Sequence, residues 1–178
     1  MANYRDYLNY AEGFYLQAKE ASSTGSSGIT ERSLIASVLL SWIAMESFVN
    51  NMMADFRAIP QDLFTLPEQA FLAEHELEFV DSGTQAGEFT ISTRRRYRPL
   101  DHKMLFLVAK FSKGIKLNRG QGLWQKFQII KQKRDQLTHP RKSEEVTLTL
   151  GDAGDALEVA KAIILMISKK VWGKEVEL

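Results

Sequence analysis

The chain lacks cysteine and has few histidines, and both features exclude particular kinds of catalytic and metal-binding site. Without cysteine there are no disulfide bonds, no thiol nucleophile and no thiolate metal site. The three histidines are scattered, with neither the H-x3-H nor the H-E-x-x-H spacing of a zinc site. No G-x-x-x-x-G-K-[ST] phosphate loop and no G-x-G-x-x-G fingerprint is present. We therefore expect neither a metal nor a cofactor.

Long apolar runs are also lacking. No run approaches the roughly 18 residues that a membrane-spanning helix needs, and the N-terminus, MANYRDYLNYAEGF, is polar rather than signal-like. The composition, 44% hydrophobic and 25% charged, is typical of a soluble globular protein. We expect a single cytoplasmic domain over residues 1–178, long enough to bury a sizeable core.

Charge is unevenly distributed along the chain. Residues 1–90 carry 4 Lys/Arg and 13 Asp/Glu, residues 91–142 carry 15 and 2, and residues 143–178 carry 4 and 7. So basic a middle segment indicates a polyanionic partner. The alternative is that acidic and basic segments neutralise each other within the fold or across a dimer.

Helical periodicity covers most of the chain. The spacing of apolar residues predicts an all-α bundle of four to six helices. Residues 88–93 (EFTIST) alternate instead, which predicts a short hairpin or extended insertion, and residues 146–150 read as a short extended piece. The predicted helices span residues 2–22, 30 to about 57, 68 to about 79, 99 or 101 to about 111 or 113, 123–139, and 152 or 155 to about 171.

The second of these helices is apolar almost throughout and should be central. Glu46 is its exception, four residues after Trp42 and three before Val49. Asn50 lies four residues further on, so it shares a helix face with Glu46. A carboxylate in an apolar stripe needs a partner.

The fifth helix supplies that partner. Arg134 lies four residues after Ile130, on a face otherwise apolar, and a guanidinium stays charged at any physiological pH. We predict that Glu46 lies within about 6 Å of Arg134, with Asn50 adding a hydrogen bond. This pair alone would explain Arg134 as a structural residue.

A titratable group follows Arg134 at the end of the same helix. His139 can hold or release a proton near neutrality. Pro140 then stops the helix, and the cations Arg141 and Lys142 follow. A histidine in the last turn also simply favours the helix dipole, so the position alone leaves a catalytic and a structural role open.

A second basic cluster precedes the fourth helix. Arg94, Arg95, Arg96 and Arg98 surround one aromatic residue, Tyr97. Such a run can bind phosphates and stack a base; more often it is a solvated loop or pairs with acidic neighbours. Of the other histidines, we expect His75 to be solvated and assign no role to His102.

Two short motifs resemble the HEPN superfamily. Arg134-Asp135-Gln136-Leu137-Thr138-His139 is similar to its R-x4-H motif, in which a polar residue often follows the arginine. Glu46-Ser47-Phe48-Val49-Asn50 resembles the E-S-x-x-N pattern of its long helix. The order of the helices agrees over roughly residues 1–172. Departures are Pro140, where many members have a small residue, and the basic insertion at residues 93–98.

The resemblance implies a homodimeric helical bundle with the two R-x4-H ends facing each other. Many members are metal-independent RNases of toxin–antitoxin or phage-defence systems, which implies an RNA substrate and an antitoxin partner. His139 would be the general acid/base, Arg134 would stabilise the transition state and Asp135 would position groups around it. Other members are inactive, which implies the alternative of a nucleotide-binding or protein-interaction module. A purely structural bundle is the third interpretation.

Overall fold

A computed structural model of the protein describes residues 3–112, 117–120, 122–139 and 146–178. These residues form six α-helices and one two-stranded antiparallel sheet, which agrees with the predicted mainly helical fold. The elements are α1 (Tyr4–Ser23), α2 (Ser27–Ala58), α3 (Leu66–Leu72), β1 (His75–Phe79), β2 (Phe89–Arg95), α4 (Leu100–Phe111), α5 (Leu123–Thr138) and α6 (Leu150–Trp172).

The chain divides into two compact units. The first contains Met1–Phe48 and Leu105–Leu178, and the second contains Val49–Met104. Helices α2 and α4 contribute to both units. That the whole chain is a single HEPN-like domain stays a prediction.

The first unit is a helical bundle whose core is almost entirely apolar. Helix α6 packs against both α1 and α5. The buried Ser37 hydroxyl on α2 donates to the Ala11 carbonyl of α1 over 2.9 Å, so a small polar residue ties two helices where they approach closely. The aromatic rings of Trp42 and Phe127 stack 5.3 Å apart and join α2 to α5.

The helices of this unit begin and end at recognisable caps. Asn3 and Asp6 form a capping box at α1, and Thr149 and Asp152 form another at α6. Helix α6 ends at Gly173, whose φ of 72° is the left-handed conformation that glycine adopts easily. The predicted capping of α6 by Asp152 or Asp155 is wrong by one turn, because the Thr149 hydroxyl accepts from the Asp152 N–H.

Other predicted helix boundaries also shift. Helix α2 begins at Ser27, one turn before the predicted cap at Thr30, whose hydroxyl donates to the Ser26 carbonyl. Of the predicted extended piece at residues 146–150, Leu150 already belongs to α6.

The second unit contains the hairpin, and here one helix prediction is wrong. The acidic helix expected over residues 68–79 stops at Leu72, and His75–Phe79 form strand β1. Glu74 has a φ of 55°, which ends the helical course. Strand β1 then pairs with the strand predicted near residues 88–93, with Phe79 opposite Phe89.

By length and composition alone, helix α2 could cross a membrane. The expectation that the chain has no segment of this kind is therefore not met. In the structure 56% of its most apolar window is buried inside the protein, as in the core helix of a soluble protein.

Candidate active site at the end of helix α5

Arg134 sits on α5 where the apolar face of the helix approaches α2. Its Nη2 atom lies 3.1 Å from Oε1 of Glu46, which confirms the predicted contact. The side chains are 21% and 28% exposed, so the ion pair is partly shielded from solvent. Because shielding reduces dielectric screening, this contact restrains the guanidinium more firmly than a fully exposed ion pair does.

Trp42 forms a second restraint on the same guanidinium. The Arg134 Cζ atom lies 4.4 Å from the Trp42 ring centroid, in the geometry of a cation–π contact. Trp42 is 2% exposed and is itself stacked on Phe127. From its apolar spacing Trp42 is predicted only as a core residue. The signal for its contact with Arg134 was its position one turn before Glu46, on the face that meets Arg134.

Asp135 is the third contact of Arg134, and the three contacts do not use all the N–H donors of the guanidinium. Its Oδ1 atom accepts from Nη1 of Arg134 over 2.9 Å, and its side chain is 47% exposed. A guanidinium has five N–H donors, and the two hydrogen bonds to Asp135 and Glu46 use two of them. Within the described residues, the buried Nε atom has no hydrogen-bond partner. The Nη groups therefore retain hydrogens for an additional acceptor.

His139 lies at the point where α5 ends. Its backbone N–H donates to the Asp135 carbonyl over 2.9 Å, while its φ of −132° and ψ of 62° take the chain out of the helix. The side chain is exposed. His139 lines a broad open depression of about 830 Å³ together with Gln132, Asp135 and Gln136. Asp135 thus binds Arg134 and borders the same surface as His139.

Asn50 has a different partner from the one predicted. Its Oδ1 atom accepts a hydrogen bond from Lys103 Nζ over 2.8 Å, in place of the expected bond to the Glu46–Arg134 pair. The physical reason is the burial of Lys103, which is 6% exposed and needs acceptors for its ammonium group. Lys103 was missed in the sequence, although its spacing from Leu100 and Leu107 puts it on the apolar face of α4.

The predicted RNA-binding residues divide into three groups. Arg94, Arg95 and Arg96 are exposed. Arg98 is half-buried: its Nη2 donates to the His75 carbonyl over 3.2 Å, and its guanidinium lies 5.1 Å from the Phe71 ring centroid. Arg98 therefore helps to fix the hairpin.

The remaining basic residues of that prediction, Arg141 and Lys142, lie outside the described residues, as does Pro140. His75, expected to be solvated, is half-buried, with Nδ1 2.7 Å from the Ser92 carbonyl oxygen. The two other described histidines, His102 and His139, are exposed.

Across the described ranges, no three His, Cys, Asp or Glu side chains come together as metal ligands would. Comparison of the chain with protein-family models, with curated proteins and with solved structures finds no match. The HEPN resemblance therefore depends on the two motifs and the order of the helices.

Proposed function

We propose that this protein is a metal-independent endoribonuclease whose active site contains Arg134, Asp135 and His139. The observation that carries the proposal is the set of contacts that Arg134 makes. It is a fixed cation with spare N–H donors, and Asp135 links it to the surface that the exposed imidazole of His139 borders. A fixed cation and a titratable imidazole are groups that can support RNA transesterification without a metal.

The proposed reaction uses the RNA's own 2′-hydroxyl as nucleophile. Its oxygen bonds to the adjacent phosphorus, and the bond from phosphorus to the 5′-oxygen breaks. Neutral His139 accepts the 2′-hydroxyl proton, and an imidazolium donates a proton to the departing 5′-oxygen. Arg134 balances the charge that develops on the phosphorane oxygens. The products are a 2′,3′-cyclic phosphate and a 5′-hydroxyl end.

A homodimer would supply two imidazoles to one cleft. One copy's His139 would act as base while the other acts as acid, so both proton transfers would occur without a second histidine on α5. This arrangement follows the R-x4-H resemblance. The same resemblance supports a role as a cytoplasmic toxin or phage-defence protein with an antitoxin partner, and the exposed Arg94, Arg95 and Arg96 would contact the RNA backbone.

A second candidate is a non-catalytic module that holds a nucleotide or a protein partner at this surface. The observation in its favour is that Arg134 already has two carboxylate partners, Glu46 and Asp135, within 3.1 Å. These two negative charges offset the positive charge that a transition state would use.

The test asks whether cleavage requires the RNA 2′-hydroxyl and which ends the products carry. The protein is incubated in EDTA with an RNA oligonucleotide and with the same oligonucleotide carrying a single 2′-deoxy substitution at the cleaved position. The proposal predicts cleavage only where the 2′-hydroxyl is present, with 2′,3′-cyclic phosphate ends. Folded protein that leaves several RNAs intact but binds them favours the second candidate. Ends bearing a 5′-phosphate would contradict the mechanism.

A further inference from the structure

The first unit contains a cavity of about 340 Å³ that the proposed nuclease does not use. It lies between the beginning of α5, the second half of α6 and the chain segment that precedes α5. Its walls are mostly apolar and are contributed by Leu117, Leu123, Trp124, Ile163 and Met166. Ligand sites combine such walls with a few placed polar groups, and the volume is near the lower limit of roughly 300 Å³ for these sites. The cavity therefore suits a small molecule rather than a polymer.

Two helices contribute most of the lining. Ile163, Met166 and Lys170 follow one another at spacings of three and four, so they share one face of α6. Leu123 and Trp124 form the first turn of α5. Trp124 is 8% exposed and Ile163 is 1% exposed, so these two side chains form the buried part of the lining. Met166 is half-buried, and its flexible thioether side chain adapts to groups of different shape. The lining can thus accept a hydrocarbon or an aromatic group.

Lys170 is the one charged side chain that the described residues contribute to this lining. It is half-buried, and it makes no ion pair or hydrogen bond with any residue that the structure describes. Its neighbour Lys169 differs, because the Lys169 ammonium pairs with the Glu175 carboxylate at 3.0 Å. A charge that is partly removed from water without a partner costs free energy. Lys170 therefore favours a ligand that brings a negative charge.

The other polar groups of the lining agree with an anionic ligand. The Asn118 side-chain oxygen already accepts the Gly120 N–H over 3.1 Å. The Trp124 indole N–H donates no hydrogen bond to a described residue. Among the described residues no carboxylate lines the cavity, so nothing there offsets the charge of Lys170 or repels an anion. The lining thus offers one cation and one unused N–H donor beside apolar walls.

We propose that this cavity binds a small apolar monocarboxylate, with its apolar body against Trp124 and Met166 and its carboxylate at Lys170. One cation matches one negative charge, whereas a phosphate monoester carries about −1.5 to −2 at pH 7. Among the described residues, this cavity and the depression at His139 share no lining residue, and they lie at opposite ends of α5. The proposal is therefore independent of RNA cleavage.

The test is isothermal titration calorimetry of the full chain with one aliphatic and one aromatic probe, octanoate and phenylpropanoate. We expect at least one to bind. The alcohol of the same carbon skeleton, octanol or phenylpropanol, should bind roughly tenfold more weakly, because a hydrogen bond to a charged group contributes that order of affinity. Lys170→Met keeps an apolar side chain but removes the charge. It should weaken carboxylate binding roughly tenfold and leave alcohol binding unchanged.

Lys169→Met is the matched control for the loss of one positive charge. Lys169 lies in the same last turn of α6, its side chain is 68% exposed, and it does not line the cavity. This variant should bind the carboxylate and the alcohol as the wild type does. Equal weakening of carboxylate binding by Lys169→Met and Lys170→Met would mean that only the net charge matters, and it would overturn the proposal.

Tryptophan fluorescence locates the bound probe. The spectrum should shift when the carboxylate binds, because Trp124 lines the cavity. Trp124→Phe should remove this shift, whereas Trp172→Phe, at a residue that does not line the cavity, should retain it. Failure of both carboxylates to bind at millimolar concentration, wild-type affinity in Lys170→Met, or a shift that survives Trp124→Phe would each overturn the proposal. Tighter binding of octyl phosphate than of octanoate would overturn the assignment of a monocarboxylate.

Discussion

The carboxylate of Glu46 on α2 lies 3.1 Å from the guanidinium of Arg134 on α5, although 88 residues separate them along the chain. The contact links the E-S-x-x-N motif of α2 to the R-x4-H motif of α5. On one side of the guanidinium lies the Trp42 ring and on another the Asp135 carboxylate. Arg134 therefore has a defined position before any ligand arrives.

Glu46 is a positioning residue, and Glu46→Gln should lower kcat/KM for RNA cleavage by roughly 10- to 100-fold, because small displacements of a catalytic group have costs of that order. The variant should remain folded, since glutamine still offers an acceptor. Cleavage rates and circular dichroism measure the two effects. Glu12→Gln is the matched control: Glu12 also pairs with a cation, Lys161, at 3.1 Å, but its side chain is 49% exposed. Equal rates for the two variants would rule out positioning by Glu46.

Arg134→Lys keeps the positive charge but should reduce kcat by about 10²–10³-fold, the usual effect of removing one transition-state donor. An ammonium has no planar array of five N–H donors, so it cannot match the contacts to Glu46, Asp135 and Trp42 together with a phosphate. Single-turnover kinetics measure the change. Arg32→Lys, at an exposed position outside the predicted RNA-binding residues, should retain most activity. Wild-type turnover by Arg134→Lys would show that charge alone suffices and that the guanidinium geometry is irrelevant.

Glu74 should make stability depend on pH. Because its pKa in the folded state is lowered from the ordinary 4.5, its contribution is fully present above pH 4.5 and is lost as the pH falls through the folded-state value. Glu74→Gln should therefore lower the free energy of unfolding clearly at pH 7 and much less at pH 3. Urea unfolding at both pH values measures this. Glu78→Gln, at an exposed strand position, should show no such difference; a Glu74→Gln deficit of the same size at both pH values contradicts the assignment.

The sequence predicts the structure of the first unit better than that of the second. Glu46 and Arg134 were paired correctly because each interrupts the apolar stripe of a long helix, and helical periodicity determines the face that a residue occupies. His75–Phe79 were predicted as helix because short charged segments have ambiguous periodicity. Their strand state depends on pairing with Phe89–Arg95, a contact between segments that local spacing does not reveal.

The same difference explains why the partners of Lys103 were missed. Lys103 carried a local signal, since it lies on the apolar face of α4. Its partners Asn50 and Glu74 lie 53 and 29 residues away along the chain, and local spacing does not reveal contacts between such distant residues. The strained φ of Glu74 has no sequence signal at all, because glycine and asparagine are the residues expected there.

The cap of α6 gives a prediction about stability alone. Thr149→Ala should lower the free energy of unfolding by about 1 kcal/mol, because the Asp152 N–H loses its hydroxyl acceptor. Thermal or urea unfolding measures it. Thr147→Ala, at an exposed position before the helix, is the control and should change stability by less than about 0.5 kcal/mol. Similar values for both variants would mean that the capping box contributes little.

The most direct test of the proposed active site is the rate of RNA cleavage in EDTA by wild type, His139→Ala and His102→Ala. Both histidines are exposed, so neither substitution should disturb the fold, and the backbone hydrogen bond from residue 139 to Asp135 survives the change to alanine. We predict that His139→Ala abolishes cleavage while His102→Ala cleaves as the wild type does. Cleavage by His139→Ala at the wild-type rate would contradict the assignment of His139 as the acid/base of the reaction.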